Sequence, residues 1–312
     1  MRIVFMGTPD YAVPSLEMLV KEGYDVAAVV TQPDKPKGRG KKMAAPPAKE
    51  YAIKQGIEVL QPNKIKTSEF IEQLRALEPD LLVTAAYGKI LSKDLLEVPR
   101  YGCINVHGSL LPAYRGAAPI NWAVINGETK TGITTMFTDV GIDTGDMLLK
   151  KELDITPDMT VGELHDKMAL LGAEVLKETL IQLKEGTLKR IPQEDSESSY
   201  APMMTKELGL IDWNKGAVEI HNLIRGTDPW PGAYTFMQGD RMRIWKSSVV
   251  RAKAEGDGKN GEILLVDDEG ILVKCSDEKL LITEVQFDSS KRMAVRDYLR
   301  GHKISTGVIL GE

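Results

Sequence analysis

The sequence predicts an α/β fold with two domains: a Rossmann-like domain built on a mostly parallel sheet, then a small OB-like β-barrel domain. Three observations carry this. Up to Gly186, short apolar runs alternate with amphipathic segments, the pattern of parallel strands joined by crossover helices. From Arg190 to Thr205 the chain turns polar, with Pro192, Pro202 and the acidic-serine stretch Gln193-Glu-Asp-Ser-Glu-Ser-Ser199, which reads as a linker. Beyond it, short strand-like segments follow one another closely, as in a small barrel. The expected division is residues 1–189, a linker at 190–205, and a β-barrel at 206–312.

Each element has its own warrant. Arg2 to Met6 is an apolar strand closed by Gly7-Thr-Pro-Asp10, and Val13, Leu16, Leu19 and Val20 then mark one face of a helix. Tyr24 to Thr31 and Leu81 to Ala86 are strand-like runs, with Phe70, Ile71, Leu74 and Leu77 at helical spacing between them. A strand begins at Gly102 and a helix covers Ala117 to Ile125. Strands at Thr131 to Thr138 and Asp146 to Ile155 flank a Gly-rich loop. Thr160-Val-Gly-Glu163 is a capping box opening a long helix through Leu164, Met168, Leu171, Val175 and Leu183. After the linker, a helix is expected at Ala217 to Ile224. Strands follow at Ala233 to Met237, Met242 to Val250, Gly261 to Val266, Ile271 to Cys275 and Leu280 to Val285, then a helix near Val295 to Arg300.

Composition narrows the function classes. Of 312 residues, 42% are hydrophobic, enough to give each half a core. No apolar run approaches the roughly 20 residues that span a bilayer, and the N-terminus reads as a strand rather than a signal peptide. Cys103 and Cys275 each lie in an apolar strand-like segment, as buried reduced thiols do. A cytoplasmic protein with no membrane partner is expected. Four scattered histidines and no Cys/His cluster speak against a zinc site. The net charge of −5 is uninformative, but Lys35, Lys37, Arg39, Lys41 and Lys42 crowd the segment from Asp34 to Lys42, a cation excess suited to a polyanion.

The segment Cys103-Ile-Asn-Val-His-Gly-Ser-Leu-Leu-Pro112 carries the most chemistry. Strand alternation puts Asn105 and His107 on one face, near the carboxyl end of the strand, where open α/β sheets bind ligands. An amide and an imidazole converging there can polarise a carbonyl and hold an oxyanion. A polar strand end with a satisfied buried histidine fits the pattern equally well. In Asp139-Val-Gly-Ile-Asp-Thr-Gly-Asp146, glycines on both sides of Asp143 permit a tight loop whose carboxylate can orient a histidine, although spacing alone suits a simple turn. Ser109 stands outside any Gly-x-Ser-x-Gly elbow, which weighs against a hydrolase. Gly7-Thr-Pro-Asp-Tyr-Ala12 lacks the glycine spacing of a dinucleotide site.

Gly7-Thr-Pro-Asp10, Gln32-Pro-Asp34, Gly38-Arg-Gly-Lys-Lys42, Asn105-Val-His-Gly-Ser-Leu-Leu-Pro112, Tyr114-Arg-Gly-Ala-Ala-Pro119 and Asp139 to Asp146 resemble the methionyl-tRNA formyltransferase family, as do Ile211-Asp-Trp213 and Pro229-Trp-Pro231. The resemblance covers nearly the whole chain. It implies formyl transfer from 10-formyltetrahydrofolate to the α-amine of methionyl initiator tRNA, with Asn105, His107 and Asp143 as the catalytic trio. It also implies that Ser109, Leu110, Leu111 and Pro112 lie against the folate, that Arg39, Lys41 and Lys42 contact tRNA, and that the barrel adds a second tRNA surface. No metal is implied, and a monomer is expected. The trio alone would equally serve a formyltransferase acting on an amino-sugar nucleotide; the basic loop argues for tRNA.

Overall fold

The computed structural model describes residues 1–37, 42–251, 258–288 and 290–311. In chain order the first part contains β1 (Arg2–Gly7), α1 (Val13–Lys21), β2 (Asp25–Val30), β3 (Lys35–Lys37), β4 (Lys42–Ala44), α2 (Pro47–Lys54), β5 (Val59–Leu60) and α3 (Ser68–Ala76). It continues with β6 (Leu81–Ala85), α4 (Lys93–Leu96), β7 (Cys103–His107), β8 (Arg115–Gly116), α5 (Pro119–Ile125), β9 (Lys130–Phe137), β10 (Met147–Asp154), α6 (Val161–Glu185) and β11 (Tyr200–Ala201). The rest comprises α7 (Ala217–Gly226), β12 (Ala233–Met237), β13 (Asp240–Val250), β14 (Ile263–Asp267), β15 (Gly270–Lys274), β16 (Lys279–Phe287), β17 (Met293–Ala294) and α8 (Val295–Tyr298). Among the described residues no helix is long and apolar enough to cross a membrane.

The central sheet has the order β10-β9-β7-β6-β1-β2-β5. Pairing is parallel from β5 through β2, β1 and β6 to β7, then antiparallel across β9 and β10. Strand alternation gives the sheet two apolar faces. Val4, Met6, Ala28, Val30, Leu82 and Cys103 share one core with Phe70 and Leu74 of α3 and Leu95 of α4. Helix α3 starts where the Thr67 hydroxyl accepts the Phe70 N–H at 3.3 Å. On β7, Val106 meets α6 so closely that a Cβ on Gly172 would lie 2.9 Å from Val106 Cγ1. The expected capping box opens α6: Thr160 N–H donates to Glu163 Oε2 at 2.9 Å, and Glu163 N–H to Thr160 Oγ1 at 3.3 Å.

The C-terminal strands form an antiparallel sheet with the path β12-β13-β16-β15-β14, and β17 pairs with β16. Its core holds Ile220 and Ile224 of α7 with Trp213, Ile244, Ile271, Val273, Ile282 and Val285. Trp213 Nε1 is satisfied inside that core by Thr235 Oγ1 at 3.0 Å, which lets the indole be buried without an orphaned donor.

Three features differ from the sequence reading. The basic segment is framed by an antiparallel ribbon, β3 against β4. The expected linker at 190–205 is in part built into sheet structure: Ile191 bridges Met147, and β11 runs parallel to β8. These pairings involve only one or two residues each, so no periodicity announced them. Finally, the chain divides into two discontinuous compact units. The first comprises Met1–Pro119, Lys130–Asp154 and His165–Pro202; the second comprises Ile120–Thr129, Ile155–Leu164 and Met203–Glu312.

Candidate active site

Asn105 and His107 lie on β7, two residues apart and on the same face. On the neighbouring strand Thr84 is paired opposite Asn105, and its hydroxyl donates to Asn105 Oδ1 at 2.9 Å. The amide oxygen being occupied, the amide nitrogen is the end left to donate elsewhere. His107 is buried, 5% exposed. Its Nε2 sits 2.9 Å from the Tyr114 carbonyl oxygen; a carbonyl can only accept, so Nε2 carries a proton. Its Nδ1 lies 3.6 Å from Asp143 Oδ2. Nδ1 is therefore the ring nitrogen that faces the carboxylate.

Asp143 reaches this position through a loop with an unusual backbone. Its φ is +53°, a left-handed conformation that costs a non-glycine residue about 1 to 3 kcal/mol. The same Oδ2 accepts the Gly116 N–H at 2.9 Å. The rest of the loop is pinned by Asp139, whose carboxylate takes the Thr144 hydroxyl at 2.7 and 2.8 Å. The structure thus brings together all three residues of the expected trio, from β7 and from the loop between β9 and β10.

The loop after β7 is supported from beneath. Ser109 is fully buried and its hydroxyl donates to Ala113 O at 2.6 Å. The Thr134 hydroxyl donates to Ser109 O at 2.7 Å and accepts the Leu111 N–H at 3.0 Å. Lys150 Nζ donates to the Leu111 carbonyl. Leu111 is 1% exposed, so Ser109 and Leu111 shape the loop, while Leu110 and Pro112 are the partly accessible members. Cys103, at the start of β7 and two residues before Asn105, is 1% exposed and burial pushes its thiol up to about 11. A thiol so placed is protonated at neutral pH and is no nucleophile.

Of the basic residues, Lys42 is exposed on β4, and Arg39 and Lys41 lie outside the described residues. The ribbon is anchored at its start. Lys49 Nζ donates to both Asp34 carboxylate oxygens at 2.8 and 2.9 Å and to Gln61 Oε1 at 2.7 Å, and Gln61 Nε2 donates to Asp34 Oδ1 at 2.8 Å. The hydrogen bonds from Lys49 and Gln61 hold the Asp34 carboxyl below its ordinary value.

Sequence reasoning gave no individual site role to Thr84, Tyr114, Gly116 or Gln193. Thr84 left one trace, as the lone hydroxyl in the apolar run Leu81-Leu-Val-Thr-Ala85. Tyr114 and Gly116 act through main-chain atoms, which composition does not reveal.

An amide on one face of β7, a buried imidazole on the same face and a carboxylate beside that imidazole form a set able to polarise a carbonyl. Residues 1–180 match the family model described as formyl transferase, and residues 203–303 match its C-terminal domain. Two curated relatives, from Ruminiclostridium cellulolyticum and Acetivibrio thermocellus, are methionyl-tRNA formyltransferases. They are 70% and 62% identical to this chain over 312 residues, covering all of both chains. The chain belongs to the methionyl-tRNA formyltransferase family.

Distant solved structures share the fold. The N-formyltransferase from Helicobacter canadensis, in complex with folinic acid and dTDP-3-aminofucose, is 21% identical. It covers 90% of this chain and 98% of its own, with a TM-score of 0.66. HypX from Aquifex aeolicus, in complex with tetrahydrofolic acid, is 17% identical with a TM-score of 0.63. It covers 98% of this chain, which spans about half the length of HypX.

Proposed function

We propose that this enzyme transfers the formyl group of 10-formyltetrahydrofolate to the α-amino group of methionyl initiator tRNA. The observation that carries the chemistry is the convergence of Asn105, His107 and Asp143, with His107 Nδ1 3.6 Å from the carboxylate. The amine attacks the formyl carbon, forming the new N–C bond, and the bond to N10 of the folate breaks as that nitrogen regains a proton. Asn105 donates its amide N–H to the oxygen that gains charge on attack. A proton taken up at His107 would place positive charge beside that oxygen. Asp143 orients the ring and takes part in moving the amine proton, directly or through water. No enzyme nucleophile is required, consistent with the raised thiol of Cys103. No group of three or more His, Cys, Asp or Glu side chains suited to a metal occurs among the described residues.

The accessible Leu110 and Pro112 would lie against the folate, with Ser109 and Leu111 holding the loop in shape. Arg39, Lys41 and Lys42 would engage the tRNA, and the C-terminal β domain would add a second RNA surface. Supporting this reading are the full-length relatives named methionyl-tRNA formyltransferase and the folates bound in the distant structures. The test is direct. Purified enzyme is given 10-formyltetrahydrofolate and either methionyl initiator tRNA or a dTDP-amino sugar, and formylated product is measured. Formylation of the tRNA is expected; transfer to the amino sugar alone would overturn the reading.

A further inference from the structure

Gln193 lies in the polar segment between α6 and β11 and is the residue on which several site contacts meet. Its Nε2 donates to the carbonyl oxygens of Asp143 at 2.8 Å and Gly145 at 2.7 Å. Its Oε1 accepts Arg115 Nε at 3.0 Å. Arg115 itself is 8% exposed and uses Nη1 on Asp195 Oδ1 at 2.8 Å. The amide has a single workable orientation. Turned over, it would set its oxygen against two carbonyl oxygens and its NH₂ against a guanidinium. The segment is held in place on both sides, by Ile191 against Met147 and by the Ser199 carbonyl accepting the Arg115 N–H at 2.8 Å.

The geometry points to Gln193 as a positioning residue for formyl transfer, clamping the main chain at Asp143 and Gly145 so that the Asp143 carboxylate stays aimed at His107 Nδ1. Asp143 sits in a left-handed backbone conformation, φ +53°, which relaxes unless the surrounding structure holds it. Gly116 holds the carboxylate end by one N–H; Gln193 holds the backbone end by two. The proposal rests on the reading of Asp143 as a member of the catalytic trio.

Gln193→Glu is the discriminating variant in the full-length enzyme. It keeps the size of the side chain and the acceptor for Arg115, and replaces the donor that grips the two carbonyls by a charged carboxylate oxygen. Expected is a fall in kcat of about 10- to 100-fold, the scale of a sub-ångström to 1 Å misplacement of a reacting group. KM for the acceptor tRNA and the affinity for a folate analogue should stay within about threefold. Should the glutamate variant fail to fold, Gln193→Met removes the same donor without adding a charge, and gives up the Arg115 acceptor as well. Because the effect runs through Asp143, adding Gln193→Glu to Asp143→Asn should slow transfer by less than about threefold beyond Asp143→Asn alone. A Gln193→Glu enzyme with wild-type kcat overturns the proposal. So does a double variant that loses the full Gln193 factor again, which would mark a general structural role. An Asp143→Asn enzyme at full rate instead removes the catalytic reading of Asp143, and the proposal with it.

Discussion

Thr84 and Asn105 face each other across adjoining parallel strands, and the threonine hydroxyl donates to the asparagine Oδ1 at 2.9 Å. That one bond fixes which end of the amide points away from the sheet neighbour. Asn105→Ala should lower the chemical step by about 10²- to 10³-fold, the usual loss for an oxyanion donor. Thr84→Val keeps the shape and removes the hydroxyl, so the amide is free to turn; a loss of about tenfold is expected, with Thr84→Ser near wild type. Single-turnover transfer measures both, and an Asn105→Ala enzyme within tenfold of wild type would exclude the oxyanion role.

Gly145 tests the loop that carries Asp143. A Cβ there would sit 1.8 Å from the Phe137 carbonyl oxygen, a main-chain atom that cannot swing aside. Gly145→Ala should therefore displace the loop and cut transfer by about 10²-fold or more. The control is Gly301→Ala, where a Cβ would meet nothing within 4 Å. Equal rates for the two variants would show that the loop tolerates the shift.

The basic segment separates a tRNA acceptor from a small one. Arg39, flanked by Gly38 and Gly40, can bind a phosphate or base edge in bidentate fashion, which lysine cannot reproduce. Arg39→Lys should impair transfer to tRNA although charge is kept. Lys41→Ala and Lys42→Ala should weaken binding and reduce its salt slope by up to about 1 per lost phosphate contact. Affinity for a folate analogue should not move in any of the three. Kinetics with charged initiator tRNA across a salt series decide it, and three variants indistinguishable from wild type would reduce the segment to a solvated connection.

The stability of the second unit should fall with acid through His221. Its Nδ1 lies 3.1 Å from Ser247 Oγ and its Nε2 3.1 Å from Pro157 O. Burial, aided by Arg225, holds the imidazole below its ordinary value against the opposing pull of the Pro157 carbonyl and Asp158. As pH drops, the unfolded chain takes up this proton before the folded one. The stabilising effect of the neutral ring is complete above about pH 6.5 and is lost toward the folded value. His221→Gln should flatten the melting temperature against pH between about 7.5 and 5.5; parallel curves for the two proteins would rule His221 out as the sensor.

Much of this was readable from the chain because it is written in alternation. Strand β7 sets Ile104 and Val106 on one face and Asn105 and His107 together on the other, so a period of two displays the candidate pair directly. The capping box at Thr160 was equally plain. Asp143 was visible as a residue between glycines, but its meeting with His107 depends on the antiparallel return of β9 beside β7, which no local pattern encodes. Gln193 was hidden for a different reason. A segment of Gln, Glu, Asp and Ser has the composition of a solvated connection, and its amide works through carbonyl oxygens 48 and 50 residues away. The short ribbon β3–β4 and the interleaved compact units were likewise hidden, since both arise from long-range packing rather than periodicity.

The placement of β11 after the 25-residue helix α6 orders events during synthesis. The Asp143 loop and the histidine strand leave the ribosome well before Gln193 and the Tyr200-Ala201 strand that pairs beside Gly116. The nascent first unit thus carries every member of the trio for some fifty residues before its clamp is made. A chain cut at Gly186 keeps Asn105, His107 and Asp143 yet lacks both the Gln193 amide that donates to the Asp143 and Gly145 carbonyl oxygens and the Tyr200-Ala201 strand beside Gly116.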